Sequence, residues 1–385
     1  MNRVAINEGV LLWALDRAGL TPDLLQSKFP KIEQWISGES QPTLRQLESL
    51  AKTTRTPLGY LFLSQPPEER LPIPYFRTLG NRLPTRLSPE FIDTVQMMQQ
   101  RQEWLREFLI EEGQEALNFV GSSHIDEPAL FIAERIRRTL GLEEEWASNE
   151  RTWTEALRVL REAMEETEII VVVNGVVGNN TRRKLNPEEF RGFVLNDEYV
   201  PLVFVNGADG KAAQMFTLAH ELAHVFFGRS AAFDLREMQS PDDPIEQACN
   251  SVAAEFLVPT SKLRQIWPSI QNDLEPFQTI ARQFKVSALV AARRALDLEL
   301  ISREVFFYFY NAYESDERRL AARQEGGGNF FVNQNFRIGR RFSSAVARAI
   351  KQGRLLYSEA YQLTGLYGTT FDNYMKIIEI GGQRR

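Results

Sequence analysis

"FTLAHELAHVFFG", residues 216–228, is the stretch on which the reading of this chain turns. His220 and His224 are two of only three histidines among 385 residues, and Glu221 directly follows the first. A helix places residues i and i+4 about 40° apart and one turn along its axis, so both imidazoles face one point. Glu221 lies about 60° round from His224, close enough to reach a water at that point without itself being a ligand. Phe216, Leu218, Ala219, Leu222, Ala223, Val225 and Phe226 make the segment apolar almost all round, which predicts a buried helix. Gly228 supplies its stop. Polar groups inside such a helix are costly unless they are paired or metallated. The pattern therefore points to hydrolysis at a zinc ion, with His220 and His224 as ligands and Glu221 as general base. Manganese is the alternative cation.

Two histidines leave the third ligand to be found. "PIEQACNSVAAEFLVP" (244–259) reads as the next long helix, set between two prolines. It carries Glu246 and Glu255, nine residues apart and so on opposite faces; only one can point at the metal. Glu246 shares its face with Asn250, one turn on, which suits a residue that holds a histidine ring in place. Glu255 has no such companion, so Glu246 is read as the third ligand. Asp234, Asp242 and Asp243 are weaker candidates in the intervening loop. Cys249 reads as a small buried apolar residue, with a thiolate ligand as the alternative. His124 precedes a helix and reads as a loop or cap residue. Arg191 and several tyrosines are candidates for stabilising an oxyanion, with nothing to rank them.

Outward from this core, the fold class expected is α+β in several domains. The length predicts two or three domains, and an apolar fraction of 43% is enough to build cores. Residues 1–64 read as five short helices, an all-α domain. Residues 65–90 hold six prolines and predict an extended connector. The central segment, 91–300, predicts helices at 91–112, 129–140 and 151–166, a strand in "EIIVVV" (168–173) and a hairpin in "RGFVLNDEYVPLVFVNG" (191–207). The motif helix follows from near Gly210 to Gly228, and two short helices fall within 275–298. The strand at 200–206 is a plausible edge for an extended substrate to pair with. The last segment, 301–385, opens with a strand-like aromatic run, "VFFYFYNAY", passes a glycine-rich turn at Gly326–Gly328 and continues in helices. That turn is not a phosphate loop, since no Lys-Ser/Thr follows.

Charge and composition narrow the class further. The net charge is −6, which excludes a general polyanion binder. It is unevenly spread: residues 103–168 hold 17 acidic against 7 basic side chains, and residues 318–354 hold 9 basic against one acidic. These runs read either as solvated helix faces or as a basic surface for an acidic partner or nucleic acid. No apolar run is long enough to span a membrane. One cysteine and no secretory leader pattern in the first 20 residues predict a reducing, cytoplasmic setting.

The order of strand, hairpin, motif helix and Glu-bearing helix, over roughly 150–265, resembles the ImmA/IrrE family of zinc metallo-endopeptidases. The resemblance rests on "RGFVLNDEYVPLVFVNG", "FTLAHELAHVFFG" and "IEQACNSVAAEFLVP". It implies a zincin-like α/β domain with zinc on His220, His224 and Glu246 and with Glu221 as the base. Cys249 departs from the family pattern, which usually has alanine before the asparagine.

"FPKIEQWISGESQPTLRQLESLAK" (29–52) resembles the XRE-type helix-turn-helix through Trp35, Gly38, Pro42, Thr43, Leu47 and Leu50. The resemblance implies a third helix in the DNA major groove, presenting Lys28, Lys31, Glu33 and Gln34. With 7 basic against 6 acidic residues over 1–64, DNA binding is expected to be weak or to depend on a dimer. The tail resembles the extension on ImmA/IrrE proteins that carry an N-terminal XRE domain, and reads as a module for partner binding or substrate positioning. The expected function is a zinc endopeptidase coupled to transcription, cutting a repressor or antitoxin-like protein. The alternative is a non-proteolytic antitoxin or regulator, paired with a toxin, that uses the peptidase fold as scaffold.

Overall fold

Caps written in the sequence set the limits of the N-terminal helices. The structure, a computed structural model, describes residues 3–68, 87–233, 243–315 and 330–382. Asn7 accepts from the Val10 amide and opens α1 (Glu8–Arg17). Two short helices follow, α2 (Pro22–Leu25) and α3 (Ile32–Ile36). Thr43 and Gln46 form a capping box before α4 (Leu44–Thr54), and a 3-10 turn spans Leu58–Phe62. Leu11, Ile32, Trp35, Leu47, Leu50 and Leu61 meet in one small core. The expected third helix is shorter than its resemblance implies. Pro30 interrupts the chain, so Lys28 lies in the turn before α3 and Lys31 is the N-cap residue. Only Glu33 and Gln34 of that set stand on the helix itself.

Contacts divide the described residues into two compact units, one ending at Val95 and the other beginning at Gln96. In the first, buried Arg17 pairs with Asp93 at 2.9 Å, and Arg55 pairs with Glu90. Both acids lie at the start of the long helix α5 (Pro89–Glu111). Residues 69–86 of the expected connector lie outside the described residues, as do Asp234, Asp242 and Gly326–Gly328.

The second unit is mixed α+β. α6 (Ala129–Leu140) ends on Gly141 in the left-handed conformation. A Thr152–Glu155 capping box starts α7 (Trp153–Glu166). The β-branched run then forms β1 (Ile170–Asn174), and a small separate hairpin joins β2 (Val176–Val177) to β3 (Asn180–Lys184). β4 (Gly192–Leu195) and β5 (Leu202–Asn206) form the expected antiparallel hairpin, with Phe193 opposite Phe204. β6 (Ala231–Phe233) completes a four-stranded sheet in the order β1-β5-β4-β6. β5 pairs with β1 in parallel on one side and with β4 on the other. The expectation that 200–206 offers a free edge is therefore wrong: its backbone groups are already paired, and the sheet ends at β1 and β6.

α8 (Lys211–Phe227) lies across β4 and β5 and stops at Gly228, whose φ is 69°. α9 (Pro244–Leu257) packs against its other side. Enclosed in this way, α8 is buried along almost its whole length, from Gln214 to Phe226. This burial is what its apolar circumference required. Three helices follow: α10 (Thr260–Ile270), which is not among the helices expected above, then α11 (Pro276–Phe284) and α12 (Ala288–Asp297).

The aromatic run expected as a strand is instead α13 (Arg303–Glu314), opened by Ser302 accepting from the Val305 amide. Phe306, Phe309, Tyr310 and Tyr313 recur at helical spacing, and Phe309 packs edge-on against Phe277 at 4.7 Å. Packing of one face outweighs the β-propensity of the aromatics. Among the described residues, α14 (Phe330–Ile338), α15 (Arg340–Lys351), α16 (Tyr357–Thr364) and α17 (Gly368–Gly382) follow, with α14 lying on β1. Among the described residues, no helix is long and apolar enough to cross a membrane.

The uneven charge has an intramolecular explanation. Arg348 pairs with Glu112 at 2.7 Å, and Arg354 reaches both Glu111 and Glu112. Arg341 reaches Glu168 at 3.5 Å, and the Arg340 amide donates to Glu165. The described part of the basic tail is thus laid against the chain's own acidic stretch.

Candidate metal centre

α8 brings His220 and His224 onto one face, and both imidazoles are fully buried, as is Glu221. Their Nε2 atoms stand 3.1 Å apart. α9 supplies the remaining groups. Asp243 caps it by accepting from the Ile245 amide, Pro244 occupies its first position, and Glu246 falls in the first turn. The positive end of the helix favours a carboxylate there. Glu246 Oε2 lies 3.1 Å from His220 Nε2, and its Oε1 lies 3.1 Å from His224 Nε2.

Asn250, one turn along α9, presents Oδ1 to His220 Nδ1 at 3.0 Å. The imidazole donates from Nδ1, so its Nε2 lone pair is turned toward His224 and Glu246. Burial lowers the pKa of His220, against the opposing pull of the Glu246 carboxylate. Burial alone would raise the pKa of Glu246, but the two imidazoles beside it, His220 and His224, outweigh burial, and the carboxyl is held well below its ordinary value.

The arrangement fits a divalent cation. Two imidazole nitrogens and a carboxylate converge on one point. Ligand atoms bound at about 2.1 Å around a tetrahedral zinc lie roughly 3.4 Å from one another, close to the spacing found. Glu221 makes the same point from outside the ligand set. Neither of its carboxyl oxygens has a hydrogen-bond partner among the described residues. Burial, then the charge of Glu246, pushes its pKa well up. Such a group is costly to keep in a core with no counter-charge.

Residues 177–296 match the IrrE N-terminal-like domain. This family model, Peptidase_M78, takes in β3 to most of α12 and includes His220, Glu221, His224, Glu246 and Asn250. Residues 338–377 match a domain of unknown function, DUF8813, which covers α15, α16 and the start of α17. No curated protein matches the chain.

Within the IrrE-like segment, the other candidates separate clearly. Glu255 points away from the histidines. It accepts from the amide and hydroxyl of Thr260, at 3.1 and 2.6 Å, and pairs with buried Arg294. Asp243 is the cap of α9. Arg191 pairs with Asp209 at 3.2 Å. Cys249 is fully buried, its thiol pKa pushed well up first by burial and then by Glu246 and Glu221, and its sulfur lies within 4.8 Å of ligand atoms on both histidines. Outside the segment, the His124 amide donates to Glu127 at 2.7 Å, and its side chain is exposed. In the N-terminal unit Lys28, Lys31, Glu33 and Gln34 are all exposed, and Lys28 Nζ donates to Thr53 at 2.8 Å.

One residue of the IrrE-like segment was not singled out from sequence. A Cβ on Gly192, in β4, would lie 2.6 Å from Thr217 Cγ2, 2.9 Å from Phe204 O and 3.0 Å from Glu221 Oε1. Only glycine lets the strand approach α8 this closely beside the glutamate. A lone glycine within an apolar strand pattern is the signal that marks such approaches.

Proposed function

We propose that the IrrE-like segment is a zinc-dependent peptidase centre, with His220, His224 and Glu246 as metal ligands, Asn250 as the orienting partner of His220, and Glu221 as general base. The observation that carries this reading is the convergence of both Nε2 atoms and both Glu246 oxygens at 3.1 Å, beside a buried glutamate that no hydrogen bond satisfies. A divalent cation held there would supply positive charge that favours the Glu221 carboxylate, and would acidify water and polarise a scissile carbonyl. Glu221 then takes a proton on a carboxyl oxygen and passes it to the leaving amine nitrogen. Asn250 keeps the His220 Nδ1 protonated, so that the Nε2 lone pair stays turned inward.

The substrate class this reading favours is a repressor or antitoxin-like protein, with the N-terminal helical unit linking cleavage to transcription. DNA contact would fall to Gln34 on the exposed side of α3 and to Lys31 at its N-cap, with Lys28 in the preceding turn. If so, Lys31→Ala weakens the full chain's binding to its own promoter at low salt and lowers the salt slope by about 1. No shift of that DNA by the unmutated chain rules the contact out.

Complete burial of His220, Glu221 and His224 favours a second reading, a regulator or antitoxin that binds a toxin and keeps the centre as scaffold. The deciding experiment incubates the zinc- or manganese-loaded chain with candidate repressors and neighbouring-gene proteins, beside Glu221→Gln. Cleavage that the variant loses supports the peptidase. Absence of cleavage, with the variant still able to repress or neutralise, supports the scaffold.

A further inference from the structure

Cys249 stands on the same helix as Glu246, three residues on, and one residue before Asn250. Positions i and i+3 share a helix face. Its sulfur lies within 4.8 Å of ligand atoms on both His220 and His224. Cys249 thus faces the two histidines across the α8–α9 contact, on the helix that also carries Glu246.

A second observation independent of the cysteine points to a ligand at this spot. Glu221 is fully buried, and both of its oxygens lack a hydrogen-bond partner among the described residues. A cation beside it would supply the counter-charge that no hydrogen bond provides.

We propose that Cys249 is a fourth protein ligand, so that the metal site closes as a His–His–Glu–Cys set built from one pair on each of two helices. This proposal rests on the metal centre argued above and changes what it implies. Three protein ligands leave a position open for water and substrate, whereas four make the closed arrangement of structural zinc. The chain in this state is a latent peptidase: Glu221 faces a cation with no water to deprotonate. Displacing the thiolate opens the fourth position and leaves His220, His224 and Glu246 in place. The burial of the whole cluster agrees with the closed state. Thiolate ligation also shifts preference toward zinc over manganese, because sulfur is the softer donor.

The test is the absorption spectrum of the full chain loaded with cobalt(II) in place of zinc. Thiolate ligation gives an intense near-ultraviolet sulfur-to-cobalt charge-transfer band and visible bands of tetrahedral strength. Cys249→Ala is expected to bind cobalt with unchanged stoichiometry, to lose the charge-transfer band entirely and to weaken the visible bands as a water enters. Cobalt bound at one per chain through His220 and His224 with no such band in the unmutated chain overturns the fourth ligand and leaves the three-ligand centre standing. No cobalt bound at all overturns both.

Discussion

Asn250 Oδ1 accepts from His220 Nδ1 at 3.0 Å, and this one contact decides which nitrogen of the imidazole faces Glu246. Removing it leaves the ring free to turn and the wrong tautomer accessible. Asn250→Ala is expected to lower zinc affinity about 10–100-fold, the usual cost of an orienting partner, with little change in fold. Competition with a chelator of known affinity measures it; unchanged affinity would show that packing alone holds the ring.

Glu221 links the site to pH. Its folded pKa is raised well above the unfolded value of 4.5, by burial first and by Glu246 second. The stabilising effect is fully present below 4.5, where both states are protonated, and is lost as pH rises through the folded pKa. In metal-free protein the stability attributable to this group therefore falls by up to about 1.4 kcal/mol per pH unit across that interval. Glu221→Gln removes the slope. Thermal melts of the two apo proteins from about pH 5 to pH 8 should diverge, with the variant the more stable at the high end. Parallel curves would contradict the raised pKa.

The two glutamates of α9 are predicted to fail in different ways. Glu246→Ala should sharply weaken zinc binding, because it removes the charged oxygen ligand. Glu255→Ala should bind zinc normally yet lose about 3–5 kcal/mol of stability, because buried Arg294 loses its carboxylate. Chelator competition together with chemical denaturation checks both; unchanged zinc affinity in the Glu246 variant would remove that residue from the ligand set.

Gly192 tests the approach of β4 to α8. Gly192→Ala drives a methyl group to 2.6 Å from Thr217 Cγ2 and 3.0 Å from Glu221 Oε1. Overpacking of this kind costs about 1–3 kcal/mol. Zinc stoichiometry should survive, since no ligand is touched, while any Glu221-dependent cleavage falls more than the stability loss accounts for. Cleavage equal to that of the unmutated chain would mean that the glutamate tolerates the displacement.

Charge reversal at Glu112 tests the docking of the tail. Glu112→Arg faces Arg348 at a site where the pair now stands 2.7 Å apart, with Arg354 nearby. Like charges there should loosen α15, seen as faster amide exchange in residues 340–351, an effect that added salt reduces. Unchanged exchange would leave the charged contacts without a role in holding the helix.

Sequence by itself determined what depends on local backbone geometry. The i, i+4 spacing of His220 and His224, the Gly228 stop, the Thr43 and Thr152 capping boxes and the opposite faces of Glu246 and Glu255 all follow from 3.6 residues per turn and from caps a few residues away. Tertiary structure alone decided whatever depends on which distant segment lies alongside. β5 reads as a candidate edge until β1, some thirty residues earlier, takes its outer side. The aromatic run at 303–314 has strand-forming residues, but the site it packs into accepts one helical face. Gly192 is one glycine among 23 until Thr217 and Glu221 are placed against it. The acidic and basic stretches look like separate surfaces until α15 brings their charges together. Local propensity is settled within a turn or two of chain, whereas strand order, close approaches and long-range ion pairs are settled by the free energy of packing the whole unit.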